Sequence, residues 1–597
     1  RDLVRSRGLG DVYKRQDLYR DGTLFYRKYF FVTDVPGTRR MLWFGGAYMD
    51  TTVFVNGTEV GQWKYGYTSF WFDITDALHE GQNEVLVRCN LRHPNSRWYS
   101  GAGLYRNVEL WEAPDLHLMP DGLYVAAKEG DNGAWTVAVT AEAGSVTAAS
   151  TGRTLTLHLT DDNGSLLGTA AIPADAWAAL PSPDGWRTGK ETAIYKASHT
   201  FTLQDPALWD LDAPSFYHIT AELTGADGVT DTLTTRFGCR TIEATPDCGL
   251  LVNHKRVLIK GVCIHHDFGC LGSAFEYSAA KRQLEILKSM GVNSIRTGHT
   301  PPAPQFMDLA DEMGILMDVE SFDCWRSGKN PYDYGRFFDE WQEKDVASWI
   351  RRDRNHPSLL FWCIGNEIYD THAGSEGADT MRMLLAEVAA HDPARNGIPT
   401  LGSNYMPWEN TQHCADIIKV AGYNYGERLY ASHHEKHPDW VIYGSETSSI
   451  VQSRGIYHFP LSQSLLSDDD LQCSSLGNSR TSWGAESWDV CLQSEQRWPF
   501  TLGQYLWAGW DYIGEPTPYH TRSSYFGTID TAGFPKDAYY VVQAAWLDPK
   551  THPMVHLFPY WDFNEGQLID LCACTNAHSV EPVSYTHLRA HETVLDL

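Results

Sequence analysis

The sequence predicts a multidomain protein in which two N-terminal β-sandwiches precede a (β/α)8 (TIM) barrel and the start of a truncated C-terminal β-sandwich. Its 597 residues exceed the size of a single domain. Short alternating strands separated by turns fill the chain to about residue 246. Apolar strands then alternate with helix-patterned segments, and polar or aromatic residues follow each strong strand, as at the catalytic face of a barrel.

The first sandwich is predicted over residues 17–114 and has the regular strand spacing of a jelly roll. Asn56 and Gly57 between two of its strands indicate a hairpin turn. Residues 115–246 predict an immunoglobulin-like sandwich, because the side chains show the alternating pattern of β-strands over 136–140, 154–159 and 218–223. We expect this second domain to be a spacer that docks the first one on the barrel.

The barrel is predicted over residues 247–552, with strands at 257–263, 293–296, 315–320, 359–367, 400–402, 417–425, 440–446 and 503–511. Strands four and seven end in Glu367 and Glu446, which lie 79 residues apart (from 367 to 446). A strand–helix unit takes about 25–30 residues, so the separation corresponds to three units and places both glutamates at one central pocket. Two carboxylates that face each other across a pocket are what glycoside hydrolysis requires.

Both ends of the chain differ from the rest. Residues 1–16 and 582–597 have no periodicity and are interpreted as foreign, adapter-like tails of a metagenomic reading frame, so a signal peptide cannot be judged. Residues 553–581 predict the start of another immunoglobulin-like domain that is cut short.

Composition excludes several classes of partner. The formal net charge of −27 argues against nucleic acid and anionic membranes, and no apolar run approaches the ~20 residues that span a bilayer. The 12 cysteines show neither a zinc pattern nor a disulfide framework. We therefore predict no metal and no cofactor. The free thiols slightly favour a cytoplasmic location. The sequence leaves open whether the protein forms a homo-oligomer.

Two tripeptides carry a family resemblance: Gly365-Asn366-Glu367 and Gly444-Ser445-Glu446 resemble the catalytic motifs of glycoside hydrolase family 2. Residues 97–108 (RWYSGAGLYRNV) are similar to that family's sugar-binding domain, and the similarity extends over about residues 24–581. The resemblance implies a retaining, exo-acting hydrolase with Glu367 as acid/base and Glu446 as nucleophile. Their carboxyl groups should lie about 5–5.5 Å apart, and Glu367 should have a raised pKa.

The resemblance also implies the groups around the two glutamates. Asn366 would bond the sugar 2-hydroxyl, Tyr425 would hold Glu446, and Trp507 would form the floor of the sugar site. Arg296 would keep Glu446 ionised while Glu367 stays neutral. The other candidate substrate-binding residues are His265, Asp267, His299, Asp323, Lys536 and Asn95, with Arg97 and Glu320 as further candidates.

The sugar is predicted from two further segments, 509–519 and 524–537, which look like bacterial β-galactosidases of the family. The Asn-x-Lys motif of the family's β-glucuronidases occurs only at 253–255, ahead of the barrel, which favours a neutral sugar. The predicted partner is therefore a small-molecule or oligosaccharide β-galactoside. A β-glucuronidase or β-galacturonidase, with Lys536 as the free cation, and a catalytically inactive sugar-binding protein are the alternatives.

Overall fold

The computed structural model describes residues 21–33, 37–147, 153–180, 186–187, 189–225, 228, 230–461, 473, 487–517, 523–560 and 562–581. The two predicted adapter-like tails lie outside these residues. No helix in the described part of the chain is long and apolar enough to cross a membrane.

The N-terminal domain is a β-sandwich, as predicted. Its strands are β1 (Gly22–Val32), β2 (Thr38–Phe44), β3 (Ala47–Tyr48), β4 (Thr51–Val55), β5 (Thr58–Trp63), β6 (Phe70–Asp73), β7 (Gly81–Leu91), β8 (Gly103–Leu104) and β9 (Val108–Pro114). One sheet has the order β1-β7-β4-β5 and the facing sheet the order β6-β2-β9. Asn56 and Gly57 both have positive φ (49° and 81°) between β4 and β5, which confirms the hairpin turn.

The second domain is also a two-sheet sandwich. Its strands are β10 (Leu116–Glu129), β11 (Ala134–Ser145), β12 (Thr154–Asp161), β13 (Leu166–Pro173), β14 (Ala178–Ala179), β15 (Ala193–Gln204), β16 (Tyr217–Thr224) and β17 (Thr230–Phe237). The sheets have the orders β10-β11-β15-β14 and β13-β12-β16-β17. Their alternating inward residues form one core, in which Val137, Leu157 and Ile219 are fully buried.

A small antiparallel sheet separates this domain from the barrel: β18 (Ile242–Thr245), β19 (Gly249–Val252) and β20 (Lys255–Val257). The prediction that barrel strand one starts at residue 257 is therefore slightly wrong. The closed parallel barrel consists of β21 (Ile259–Ile264), β22 (Ser294–Thr297), β23 (Leu316–Glu320), β24 (Leu359–Asn366), β25 (Ile398–Ser403), β26 (Val420–Asn424), β27 (Val441–Ser448) and β28 (Gly503–Trp507).

The α-helices of the described chain all belong to the barrel region. They are α1 (Tyr277–Ser289), α2 (Pro304–Met313), α3 (Phe338–Asp353), α4 (Asp370–Ala373), α5 (Glu376–His391), α6 (Glu409–Ile418), α7 (Tyr430–Lys436), α8 (Trp488–Arg497) and α9 (Asp537–Trp546). Strand six begins later than predicted, because residues 417 and 418 still belong to α6, which ends where Lys419 turns left-handed (φ 66°).

The C-terminal part adds two short ladders, β29 (Tyr512–Thr517) with β30 (Ser523–Ser524), and β31 (Val555–Phe558) with β32 (Cys572–Thr575). Strand eight was predicted to extend to residue 511, whereas β28 ends at Trp507. The β31–β32 pair packs against α9 and occupies the place of the predicted truncated sandwich.

Candidate active site

The carboxyl end of β24 carries Asn366 and Glu367. All eight residues of this strand are buried, which fits the unbroken apolar run of the sequence. Glu367 follows the strand with a positive φ of 46°, and its amide donates to the carbonyl of Gly402. Asn424 of β26 donates from Nδ2 to Glu367 Oε1 at 3.0 Å. The structure thus anchors the side chain of Glu367 to the neighbouring part of the barrel.

Glu446 lies in β27 and is held by two donors. Arg296 Nη1 lies 2.9 Å from Glu446 Oε1, and the Tyr425 hydroxyl donates to Oε2 at 3.1 Å. The predicted contacts of Arg296 and Tyr425 with this carboxylate are therefore present. Burial raises the pKa of Glu446 to about 7; Arg296 opposes this effect and the neighbouring Glu367 carboxylate adds to it. Arg296 therefore acts on Glu446 in the predicted direction, and its role in keeping Glu446 ionised while Glu367 stays neutral stays a prediction.

Arg296 is fully buried and is shared among several acceptors. Its Nη2 lies 2.5 Å from Glu320 Oε1 and 3.0 Å from Asn366 Oδ1. Asn366 in turn donates from Nδ2 to Asp323 Oδ1 at 3.1 Å, so both ends of its amide have partners and its orientation is fixed. Because Glu320 also binds Arg296, the positive charge is divided and acts less strongly on Glu446.

Aromatic rings line one side of this network. Trp507 stacks on His299 at 5.2 Å between ring centroids and lies edge-on to His265. Nδ1 of His299 lies 2.8 Å from Glu320 Oε2. Both ring nitrogens of His265 are buried and have no hydrogen-bond partner among the described residues. A buried imidazole with two unsatisfied nitrogens is suited to bind a ligand hydroxyl.

The first domain also reaches the site, through residues 95–98. Arg97 donates to Asp323 at 3.0 Å and lies 3.8 Å from Glu367 and 3.7 Å from Glu515. The ring of Trp98 packs between those of His265 and His299. This segment therefore completes one wall of the pocket.

Asn95, the other candidate from this segment, is held by its own domain. Its Nδ2 donates to the Arg92 carbonyl at 2.7 Å, and its Oδ1 accepts from the Tyr48 hydroxyl at 3.1 Å. It lines a cavity of about 30 Å³ that also contacts His299 and Asp323. Asn95 therefore lies beside the pocket, with its amide already engaged by local groups.

Lys329, in the loop after β23, was missed by sequence reasoning. Its Nζ lies 2.7 Å from Asp323 Oδ1 and 3.0 Å from the carbonyl of Asn366. Burial alone would raise the pKa of Asp323, but Arg97 and Lys329 lower it. The only signal in the sequence was that Lys329 lies six residues after the candidate carboxylate Asp323. The residues between them form a loop, and a loop has no periodicity from which its path could be predicted.

Two candidate residues have structural partners instead. Lys536 is buried against Asp511, with Nζ 2.7 Å from Oδ1, and donates to the Tyr525 carbonyl, so the expectation of a free cation is wrong. Asp267 accepts from the amides of Gly269 and Ile513, each at 3.2 Å. Burial raises the pKa of Asp267 to about 7. Asp267 therefore joins the segment after β21 to the segment after β28, and Lys536 holds together parts of the chain that follow β28.

Known proteins share this architecture. The TIM barrel domain of glycosyl hydrolases family 2 matches residues 244–434, and a second family description, glycosyl hydrolases family 2, matches residues 121–240. A β-galactosidase of Bacteroides ovatus is 35% identical, over 94% of this chain and 69% of its own length. A putative β-glucuronidase of Formosa agariphila is 29% identical, over 94% of this chain and 54% of its own length.

The fold has a close match among solved structures. A β-glycosidase from Bacteroides vulgatus superposes with a TM-score of 0.80 at 28% identity, over 95% of this chain and 73% of that chain. The chain thus spans between about half and three-quarters of the length of these three proteins.

Proposed function

Because the chain belongs to glycosyl hydrolase family 2, we propose that it is an exo-acting, retaining hydrolase of terminal β-D-galactosides. The observation that carries this proposal is the pair of strand-end glutamates. Glu446 is oriented by Arg296 and Tyr425, and Glu367 is held by Asn424. The two carboxyl groups are close enough for Glu367 to raise the pKa of Glu446.

In the first step, the Glu446 carboxylate attacks the anomeric carbon while protonated Glu367 gives its proton to the departing oxygen. In the proposed mechanism Glu367 carries the proton in this step, and Arg296 and Tyr425 stabilise the ionised Glu446. The product of this step is a covalent glycosyl-enzyme and a free alcohol.

In the second step, the Glu367 carboxylate removes a proton from water, and the water oxygen attacks the anomeric carbon and releases Glu446. Asn366 would bond the sugar 2-hydroxyl, where hydrogen bonds strengthen as positive charge develops. His265 would bond another hydroxyl, since both of its nitrogens lack a partner within the described ranges. Trp507 would lie against the apolar face of the sugar.

A neutral sugar is supported by the charges around the pocket. Arg296 binds Glu446 and Glu320, Lys536 binds Asp511, and both Arg97 and Lys329 bind Asp323. Each of these cations therefore already has a carboxylate partner. An anionic sugar would have to displace one of these carboxylates or enter a negative field.

A uronide is the second candidate, because two cations, Arg97 and Lys329, converge on Asp323 beside Glu367. These two positive charges are the groups that could meet a sugar carboxylate, a role first considered for Lys536.

The test compares kcat/KM for nitrophenyl β-galactoside, β-glucuronide and β-galacturonide. We expect kcat/KM for the galactoside to exceed that for either uronide by on the order of 100-fold or more. A uronide lacks a hydroxyl group that the site would bind, so polar atoms of the site would stay unpaired. A ratio below one for either uronide would reject the galactosidase proposal, and Lys329→Met should then lose the uronide activity first.

A further inference from the structure

A second cavity lies on the opposite side of the barrel from the two glutamates. It has a volume of about 120 Å³ and is formed between the second domain and the segments that precede β24 and β25. Val125 and Phe237 line it from the second domain, and Asn355 and Pro357 from the barrel. These barrel segments precede their strands, so the cavity is at the amino-terminal face, away from the chemistry.

Three arginines line this cavity: Arg240, Arg354 and Arg395. In the part of the chain that the structure describes, none of them forms an ion pair with a carboxylate. Arg240 donates from Nη2 to the carbonyls of Leu359 and Asn396. Its Nη1 is buried and has no partner among the described residues.

Arg354 has the same character. It is 5% exposed and donates to the carbonyls of His391 (2.7 Å) and Asp121 (3.0 Å), while its Nε is buried and unpartnered within the described ranges. Burial lowers the pKa of Arg240 to about 10 and that of Arg354 to about 9. Buried guanidinium groups that lack a carboxylate within ion-pair distance are stabilised when an anion joins them.

The two carboxylates that act on Arg240 from beyond ion-pair distance, Asp311 and Asp392, bind other groups. Asp311 accepts from His356 at 2.7 Å and from Arg236 at 3.2 Å. Asp392 accepts from the Trp362 indole and the Tyr124 hydroxyl. His356 also lines the cavity, and although burial lowers its pKa, Asp311 raises it to about 9. The charge of His356 is therefore paired with Asp311, and the three arginines are the lining cations that lack an ion-pair partner within the described residues.

We propose that this cavity binds a small tetrahedral oxyanion, of the class of inorganic phosphate or sulfate, which joins the second domain to the amino-terminal face of the barrel. Guanidinium groups match oxyanions with paired N–H donors, and the cavity has room for such an ion with accompanying water. Since the wall comes from two domains, the ion would stabilise the docked arrangement relative to the separated one.

The first test measures thermal unfolding of the full chain in sulfate or phosphate below about 10 mM, with chloride at equal ionic strength as the reference. A specific site should give a saturable rise of about 2–4 °C, whereas general salt effects need much higher concentrations. A response that is unsaturated and equal in chloride would overturn the proposal.

Calorimetric titration with sulfate then compares two variants. Arg395→Gln removes an exposed cavity arginine that has no ion-pair partner among the described residues, so it should fold normally and bind at least about 10-fold more weakly. Arg497→Gln removes an exposed arginine in α8, outside the cavity lining, and should bind as the parent protein does. Equal affinity of the two variants would contradict the assignment.

A direct readout does not depend on variants. Crystals soaked in selenate should show an anomalous peak between Arg240 and Arg354, and density for water alone at that place would overturn the proposal. None of the three measurements involves glycoside turnover, so the oxyanion site and the proposed activity can fail independently.

Discussion

At the residue scale, the two glutamates differ in the donors that surround them. Glu446 has a guanidinium and a phenol as partners, whereas Glu367 has an amide and a more distant guanidinium. The first set stabilises a carboxylate that attacks, and the second allows a group to exchange a proton. This asymmetry supports the proposal that Glu446 is the nucleophile.

Two variants test the assignment. Glu446→Gln should abolish turnover even of substrates with good leaving groups, because no covalent intermediate forms. Glu367→Gln should retain the first step on activated nitrophenyl glycosides, since a good leaving group needs no proton, and azide should restore the second step. Rescue of Glu446→Gln by azide with retained configuration, and no rescue of Glu367→Gln, would reverse the roles.

Lys329 acts on the site through its neighbours. Lys329→Met should lower kcat/KM by about 10–100-fold, since Asp323 loses a cation and holds Asn366 less firmly. Without Lys329 the pKa of Asp323 rises, so Asp323 loses its charge at a higher pH and the acidic limb of the kcat/KM profile should move upward. Lys436→Met, an exposed lysine of α7, is the control.

A role limited to stability would give a different result for Lys329→Met. The pH profile of kcat/KM would keep its shape, and the decrease in activity would be proportional to the fraction of enzyme that is unfolded. The pH dependence of kcat/KM therefore separates positioning of Asp323 from general destabilisation.

At the element scale, the strand ends were the predictable part of the site. The apolar run that ends in Asn366 and Glu367 corresponds to β24, because a strand buried on both faces allows few polar residues before its end. The partners of those residues come from loops and were predicted less well. Lys329 was missed, and Lys536 was expected to be free, because side-chain pairing across loops has no periodic signature in a sequence.

The segment 95–98 of the first domain illustrates the same limit. The sequence suggested Asn95 and Arg97 equally, and the structure separates them: the Asn95 amide is held within its domain, whereas Arg97 reaches Asp323 and Glu367. Only the three-dimensional path of the loop decides which of two polar neighbours enters the pocket.

Arg97→Gln should reduce kcat/KM by about 10-fold or more, because the pocket loses a positive charge beside Glu367 and Asp323. The pH profile should also change, since Arg97 is one of the two cations that lower the pKa of Asp323. Arg27→Gln, on exposed β1, should behave as the parent protein does. Equal kcat/KM values for the two variants would show that the first domain does not contribute to the site through Arg97.

At the scale of the whole molecule, domain order and type followed from strand patterning, but the docking contacts did not. The second domain was expected to be a spacer that docks the first one on the barrel, and no residue was named for its contacts. In the structure Glu142 of β11 binds Arg351 of α3 at 2.9 Å and Arg187 at 3.0 Å. An outward-facing glutamate in a strand looks like a solvent-exposed residue until the neighbouring domain is in place.

This interface should make stability depend on pH. Burial alone would raise the pKa of Glu142, but Arg351 and Arg187 lower it to about 2. A carboxyl group whose pKa is lowered in the folded state stabilises the fold at pH values above its unfolded pKa, near 4.5, and loses that contribution as the pH falls toward 2.

Glu142→Gln should therefore destabilise the docked domains by about 3 kcal/mol at pH 7, since it also leaves two buried arginines without their counter-charge. The apparent unfolding temperatures of parent and variant, measured between pH 7 and pH 3, should converge below about pH 4.5. Glu222→Gln, at a partly exposed position of β16 in the same domain, should show no such convergence, and a pH-independent difference for Glu142→Gln would mean that the ion pair does not hold the domains together.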